Sequence, residues 1–166
     1  MSESTKLNAV LKQYFGYDSF RPLQESIIAD ALAGKDVMAV LPTGAGKSLC
    51  FQIPSLVKEG TTIVISPLIA LMKNQVDLLT SNGIPATFLN SSLTQEENRL
   101  RRQQLLAGNI RILYVSPERL AISHLASETA RLQIDLLAVD EAHCVSEWGH
   151  DFRPEYRQLS ELRKNL

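Results

Sequence analysis

Cysteine is scarce here: Cys50 and Cys144 are the only two in 166 residues. They lie too far apart in sequence to form a metal-ligand pattern. The start, "MSESTKLNAVLK", lacks the apolar core of a signal peptide, so neither export nor a disulfide is expected. Both cysteines read as small packing residues. No apolar run approaches the ~18 residues of a membrane span, so no membrane partner is expected. A cytoplasmic protein is expected, nucleoid-associated if bacterial. An excess of charge is also missing. The formal net charge of −1 gives no support to nucleic-acid binding through bulk charge, so any such binding has to come from a local site. No repeat, low-complexity segment or linker interrupts the chain.

Hydrophobic residues make up 45% and charged residues 21%, an ordinary globular balance that argues against disorder. The length suits one domain with a sizeable core. Along it runs a repeating order of short apolar run, loop and amphipathic run. Strand candidates are "DVMAVL" (36–41), "TTIVIS" (61–66), "ATFLN" (86–90), "IRILYVS" (110–116) and "IDLLAVD" (134–140). Several are almost continuously apolar and rich in Val and Ile, as parallel strands covered on both faces are.

Helical patterns separate these runs. "SLCFQIPSLVKEG" contains Pro54, where a helix should end or kink. "LIALMKNQVDLLTSNG" sets Leu68, Leu71, Met72, Val76 and Leu79 on one stripe and stops near Gly83. "TQEENRLRRQQLLAG" opens with Thr94 and Glu97 in capping-box spacing and closes at Gly108. Two helical segments precede the first strand candidate, and Pro22 suits a first helical position. The end, "YRQLSELRKNL", is helical in pattern, with Leu159 and Leu162 apolar. Alternating strands and helices imply an α/β domain with right-handed crossovers, its sheet incomplete at the C-terminal end.

"LPTGAGKS" (41–48) follows a strand candidate and opens a helix, the context in which a phosphate loop is credible. Gly46, Lys47 and Ser48 fit G-x-x-x-x-G-K-[ST], but Leu41 stands where the first glycine belongs. Thr43, Gly44, Ala45 and Gly46 must then make the turn. Gly44 and Gly46 let backbone N–H groups face phosphate oxygens, and the helix N-terminus adds partial positive charge. Lys47 reaches the β- and γ-phosphates and Ser48 is a ligand for Mg²⁺. The plain alternative is a glycine-rich turn with a solvated lysine.

"LLAVDEAH" (136–143) puts Asp140 at the end of an apolar strand, the position of the acid that holds Mg²⁺ in phosphate-loop ATPases. Glu141 is placed to polarise an attacking water, and His143 joins them as a catalytic candidate. Lys47, Ser48, Asp140 and Glu141 would all lie at the carboxyl edge of the sheet, where open α/β sheets bind ligands. The plain alternative is an acid-rich helix start.

Directly behind lies "CVSEWGHDFRPEY", with Trp148, His150, Phe152, Arg153 and Tyr156 in nine positions. Taken with "FGYDSFRPLQ" (15–24), "SPLIALMKNQV" (66–76) and "LYVSPERL" (113–120), these motifs resemble the RecQ family of superfamily 2 DNA helicases from about Tyr14 to about Arg163. The resemblance implies a RecA-like parallel sheet flanked by helices, ATP and Mg²⁺ as cofactors, and single-stranded or partly duplex DNA as partner. Residues 1–35 would be helices carrying the adenine motif, and 36–166 the first motor lobe. The second lobe, needed for activity, and the zinc-binding and winged-helix regions would be absent.

The resemblance further implies that Tyr17, Arg21 and Gln24 bind adenine. Core aromatics and a solvated glutamine are the alternative. Ser66, Pro67, Leu68, Asn90 and Arg119 would contact DNA phosphates independently of sequence, or else merely end strands. Trp148, His150, Phe152 and Arg153 would meet single-stranded DNA and report its arrival to the ATP site, with stacking worth about 1–3 kcal/mol per base. A buried Trp148 is the alternative. Glu147 stands where the family commonly has glutamine. The basic run "RLRRQQ" (99–104) reads as a solvated helix face beside Glu96 and Glu97. The activity implied is 3′-to-5′ unwinding, with little ATPase and no unwinding expected of the 166 residues alone. Two rivals stay open: another nucleic-acid-stimulated ATPase of the superfamily, such as an RNA helicase or translocase, and a non-catalytic nucleotide- or DNA-binding module.

Overall fold

The computed structural model describes residues 3–122, 127, 129–145, 156 and 159–163. The chain forms two compact units, Met1–Glu59 and Gly60–Leu166.

The first unit is helical. α1 (Glu3–Phe15), α2 (Gln24–Leu32) and α3 (Leu49–Val57) gather around Leu7, Leu11, Ile28 and Ile53, all essentially buried. Leu7 and Leu11 are four apart and so share one helix face. α1 stops at Gly16, whose φ of 74° a side chain would resist, with its N–H donating to Lys12 O at 3.1 Å.

Three expectations change here. Pro22 is not the first helical residue. Arg21, Pro22, Leu23 and Gln24 form a turn closed by Gln24 N–H to Arg21 O at 3.1 Å, with Leu23 at φ 71°. Proline second and positive φ third is the type II pattern, so Pro22 sets the turn and α2 starts after it. Of the end or kink expected at Pro54, the end does not occur: α3 runs three residues beyond it, to Val57. Most notably, 36–41 is not a strand. Val37, Met38 and Val40 are exposed, the last two by 87% and 88%. An apolar run becomes a strand only when another strand supplies ladder partners, and no described strand lies within the first unit.

The second unit holds a four-stranded, wholly parallel sheet of order β2-β3-β1-β4: β1 (Thr61–Ile65), β2 (Ala86–Leu89), β3 (Ile112–Val115) and β4 (Ile134–Val139). This bears out the α/β class with helices flanking a parallel sheet. β1, β2 and β3 are buried at every position, which explains their continuous apolar sequence. β4, at one edge, is half-buried from Asp135 onward. Ile63, Ile65, Leu113 and Val115 form the centre of the core, joined by Leu105, Cys144 and Tyr156. Both cysteines are free and buried, as expected of packing residues.

α4 (Ile69–Ser81) buries Met72, Val76 and Leu79. Leu68 and Leu71, assigned to the same stripe, are instead exposed. α5 (Gln95–Leu106) begins with the expected capping box: Glu97 N–H donates to Thr94 Oγ1 at 3.2 Å, and Thr94 N–H to Glu97 Oε2 at 2.8 Å. In the basic run, Arg99 pairs with Glu96 at 2.6 Å on the exposed face. Arg101 instead lies over the Phe88 ring, 4.1 Å from its centroid, and donates to Thr87 Oγ1. α6 (Pro117–Ile122) follows β3, a single-turn 3-10 helix (Ala142–Val145) follows β4, and α7 (Leu159–Arg163) lies near the end. Among the described residues no helix is long and apolar enough to cross a membrane.

Candidate nucleotide and nucleic-acid site

In the first unit the phosphate-loop sequence forms a turn between residue 41 and α3. Gly44 and Gly46 take φ of 78° and 75°, conformations that favour glycine. Ala45 N–H closes the turn onto Pro42 O at 3.1 Å. Thr43 and Lys47 are exposed, and Ser48 caps α3 in helical conformation without spending its side chain on the helix. Lysine and hydroxyl are therefore presented together at a helix N-terminus, as phosphate binding requires.

Gln24, 1% exposed, sits directly against this loop. Its Nε2 donates to Ala45 O at 3.1 Å and Gly46 O at 3.0 Å, while its Oε1 accepts Arg21 N–H at 2.8 Å. The Arg21 guanidinium donates to Gly44 O. Tyr17 is 54% exposed. The structure thus joins Arg21 and Gln24 to the Gly44–Gly46 turn. Their spacing of 20-odd residues gave no hint of this, because hydrogen-bond partners at such a distance are set by how the chain folds back.

In the second unit the carboxyl edge of the sheet gathers the other candidates. Each strand passes its ladder on by one residue. Asp140 N–H donates to Ile65 O at 2.8 Å, Ser66 N–H to Val115 O at 3.1 Å, and Ser116 N–H to Leu89 O at 3.2 Å. Asp140, Ser66 and Ser116 therefore stand in a row at the ends of β4, β1 and β3, with Asn90 at the end of β2. Ser66, Ser116 and Asn90 are buried, Pro67 and Arg119 half-buried, and Leu68 exposed. Asn90 Oδ1 accepts Ser92 N–H at 2.9 Å and the Ser92 hydroxyl at 2.6 Å, so its side chain shapes its own loop. Arg119 N–H closes a turn onto Ser116 O at 3.0 Å. Sequence reasoning missed Ser116. The signal available was its place directly after the apolar run 110–115, the same place Ser66 holds after β1.

Glu141 is the strained residue of this edge. Its φ of 53° lies in the left-handed region, unusual for a residue with a side chain. Its N–H donates to Asp140 Oδ1 at 3.0 Å and its O accepts Cys144 N–H at 3.0 Å. His143 Nδ1 lies 3.4 Å from Glu141 Oε2, with the imidazole 55% exposed. The acids and His143 are thus one local group. Trp148, His150, Phe152 and Arg153 lie outside the described residues. Among the described residues no group of three His, Cys, Asp or Glu forms a metal cluster.

Residues 21–165 match the family model described as DEAD/DEAH box helicase. Over 158 residues the chain is 52% identical to the ATP-dependent DNA helicase RecQ of Haemophilus influenzae, covering 95% of this chain and 26% of that protein. Identity is 44% over 163 residues to the probable ATP-dependent DNA helicase RecS of Bacillus subtilis, covering 98% of this chain and 32% of that one. The chain thus spans about a quarter to a third of these relatives. Among solved structures, a DUF1998 helicase MrfA bound to DNA and AMPPNP superposes with a TM-score of 0.66 at 22% identity, over 86% of this chain and 22% of that one. A hypothetical ATP-dependent RNA helicase from Sulfolobus tokodaii gives 0.67 at 21%, over 99% of this chain and 54% of that one. At those identities the likeness is one of fold.

Proposed function

The chain belongs to the DEAD/DEAH box helicase family, and from that premise we propose that it is the first motor lobe of an ATP-dependent 3′-to-5′ DNA helicase of the RecQ type. The carrying observation is the 52% identity, across 95% of the chain, to a protein named ATP-dependent DNA helicase RecQ.

Residues 43–48 bind the phosphates of ATP. Backbone N–H groups of the turn and the N-terminus of α3 face the anion, and the Lys47 ammonium neutralises the β- and γ-phosphates. Tyr17, Arg21 and Gln24 form the adenine side. The Ser48 hydroxyl and the Asp140 carboxylate are each a hard oxygen of the kind Mg²⁺ takes, and each would serve it as a ligand. Mg²⁺ bound there would supply positive charge against the charge that develops on the phosphates. Glu141 accepts the proton of the attacking water.

The loops after β1 and β3, with Ser66, Pro67, Leu68 and Arg119, form the DNA face. Asn90 contributes by holding the loop after β2. Trp148, His150, Phe152 and Arg153 follow Glu141 by only 7 to 12 positions, close enough along the chain to couple DNA arrival to hydrolysis. Completing the ATP site takes a second lobe, and an arginine supplied from outside such a site is worth about 10³–10⁵ in rate.

The test is ATP hydrolysis by a two-lobed protein containing this chain, with single-stranded DNA and with RNA. Strong stimulation by DNA and weak stimulation by RNA is expected. The reverse would overturn the DNA assignment in favour of an RNA helicase. The isolated 166 residues should bind nucleotide weakly with little turnover, and several turnovers per second would refute that part.

A further inference from the structure

The Gln24 carboxamide already spends three of its four hydrogen-bonding positions inside the protein, leaving one Oε1 lone pair for a base. Its Oε1 accepts Arg21 N–H at 2.8 Å, and its two amide hydrogens go to Ala45 O and Gly46 O at 3.1 and 3.0 Å. The partners fix the orientation, since a flipped amide would set Oε1 against two carbonyl oxygens. The contact is close: a Cβ on Gly46 would lie 2.5 Å from Gln24 Nε2. The type II turn that delivers Gln24 holds Leu23 at φ 71°, where a leucine is strained.

These bonds have a consequence for the opposite side of the loop. In a trans peptide the C=O and the following N–H point in opposite directions, and no described peptide bond is cis. Holding Ala45 O and Gly46 O toward Gln24 therefore aims the N–H groups of Gly46 and Lys47 away from it. The Arg21 guanidinium on Gly44 O adds a third carbonyl to the same side. We propose that Gln24 is a positioning residue for the phosphate loop, holding its carbonyls so that its N–H groups are set for a triphosphate before any base is bound. This rests on the nucleotide reading above and extends it: Gln24 serves phosphate binding as well as base recognition.

The test compares the wild-type 166-residue chain with Gln24→Met, similar in length but unable to donate, by two readouts. In hydrogen exchange without ligand, the amides of 44–48 should exchange about tenfold faster in the variant, as expected for two lost hydrogen bonds, while those of β1 and β3 stay unchanged. In titrations with Mg-ATP and with Mg-tripolyphosphate, a probe that has no base, the variant should bind both about tenfold more weakly. Unchanged exchange, with tripolyphosphate binding intact and ATP binding reduced, would make Gln24 a base reader only and overturn the proposal. If the wild type binds neither probe, the nucleotide reading fails and the exchange rates alone decide the positioning role. If Gln24→Met loses protection in β1 and β3, Gln24→Asn, whose amide is one methylene short of the loop, replaces it in both measurements.

Discussion

Asp140 Oδ1 accepts the backbone N–H of Glu141 at 3.0 Å, and Glu141 answers by turning into the left-handed region at φ 53°. The first acid is thus bound to the backbone of the second, at the point where β4 gives way to the 3-10 helix. Left-handed backbone costs a residue with a Cβ about 1–2 kcal/mol. A strained residue of this kind is a candidate for function, and Glu141 is the residue proposed here as the base.

Glu141→Gly should therefore separate stability from activity. Relief of strain, less the backbone entropy of glycine, leaves a gain of about 0.5–1 kcal/mol. Loss of the base should lower ATP hydrolysis in a two-lobed protein by about 10²–10⁴. Thermal unfolding and steady-state hydrolysis read the two effects. Glu141→Ala should lose the activity without the gain, and a glycine variant less stable than the alanine variant would refute the strain.

Gly46→Ala should damage the phosphate loop twice over. The new methyl meets Gln24 Nε2, and φ 75° strains any residue that carries a Cβ. ATP affinity should fall at least about tenfold, with a stability loss of about 1–2 kcal/mol. Titration calorimetry and thermal melts check this.

The start of α5 should be sensitive to acid. The Glu97 carboxyl is held below its ordinary value, first by the Thr94 N–H and then by the Thr94 hydroxyl. A carboxyl with a depressed folded pKa stabilises above its unfolded value and loses that contribution as pH falls through the folded one. The stability difference between wild type and Glu97→Ala should thus be full at neutral pH and vanish below the ordinary carboxylate range. Thr94→Ala, which removes the cap itself, should cost about 1 kcal/mol at neutral pH. Thermal melts between pH 7 and 3 measure both.

Trp148→Ala and His150→Ala, in a two-lobed protein, should reduce DNA-stimulated hydrolysis more than ATP affinity. Equal losses of both would return the aromatic stretch to the core.

Much of the fold was legible because its signals are local. Four of five strand candidates hold within a residue or two, since continuous Val and Ile runs fit a sheet covered on both faces. The capping box was readable because Thr94 and Glu97 are three apart. Leu68 and Leu71 were misassigned because helical periodicity marks a stripe but not how far its neighbour reaches. Pro22 went to a turn because helix starts and type II turns favour the same residue.

The sequence by itself determined the phosphate loop, the Asp140–Glu141 pair and the alternating α/β order, each written in residues that lie next to one another. Tertiary structure decided what those residues touch. It aligned Asp140, Ser66 and Ser116 along one sheet edge, bound Gln24 to carbonyls more than 20 residues away, turned Glu141 into a strained conformation, and left Met38 and Val40 exposed where apolar composition alone had promised a strand. The physical reason is common to all four. Residue type states which groups need a partner, while ladder pairing, hydrogen bonding and burial depend on which distant segment the fold brings beside them.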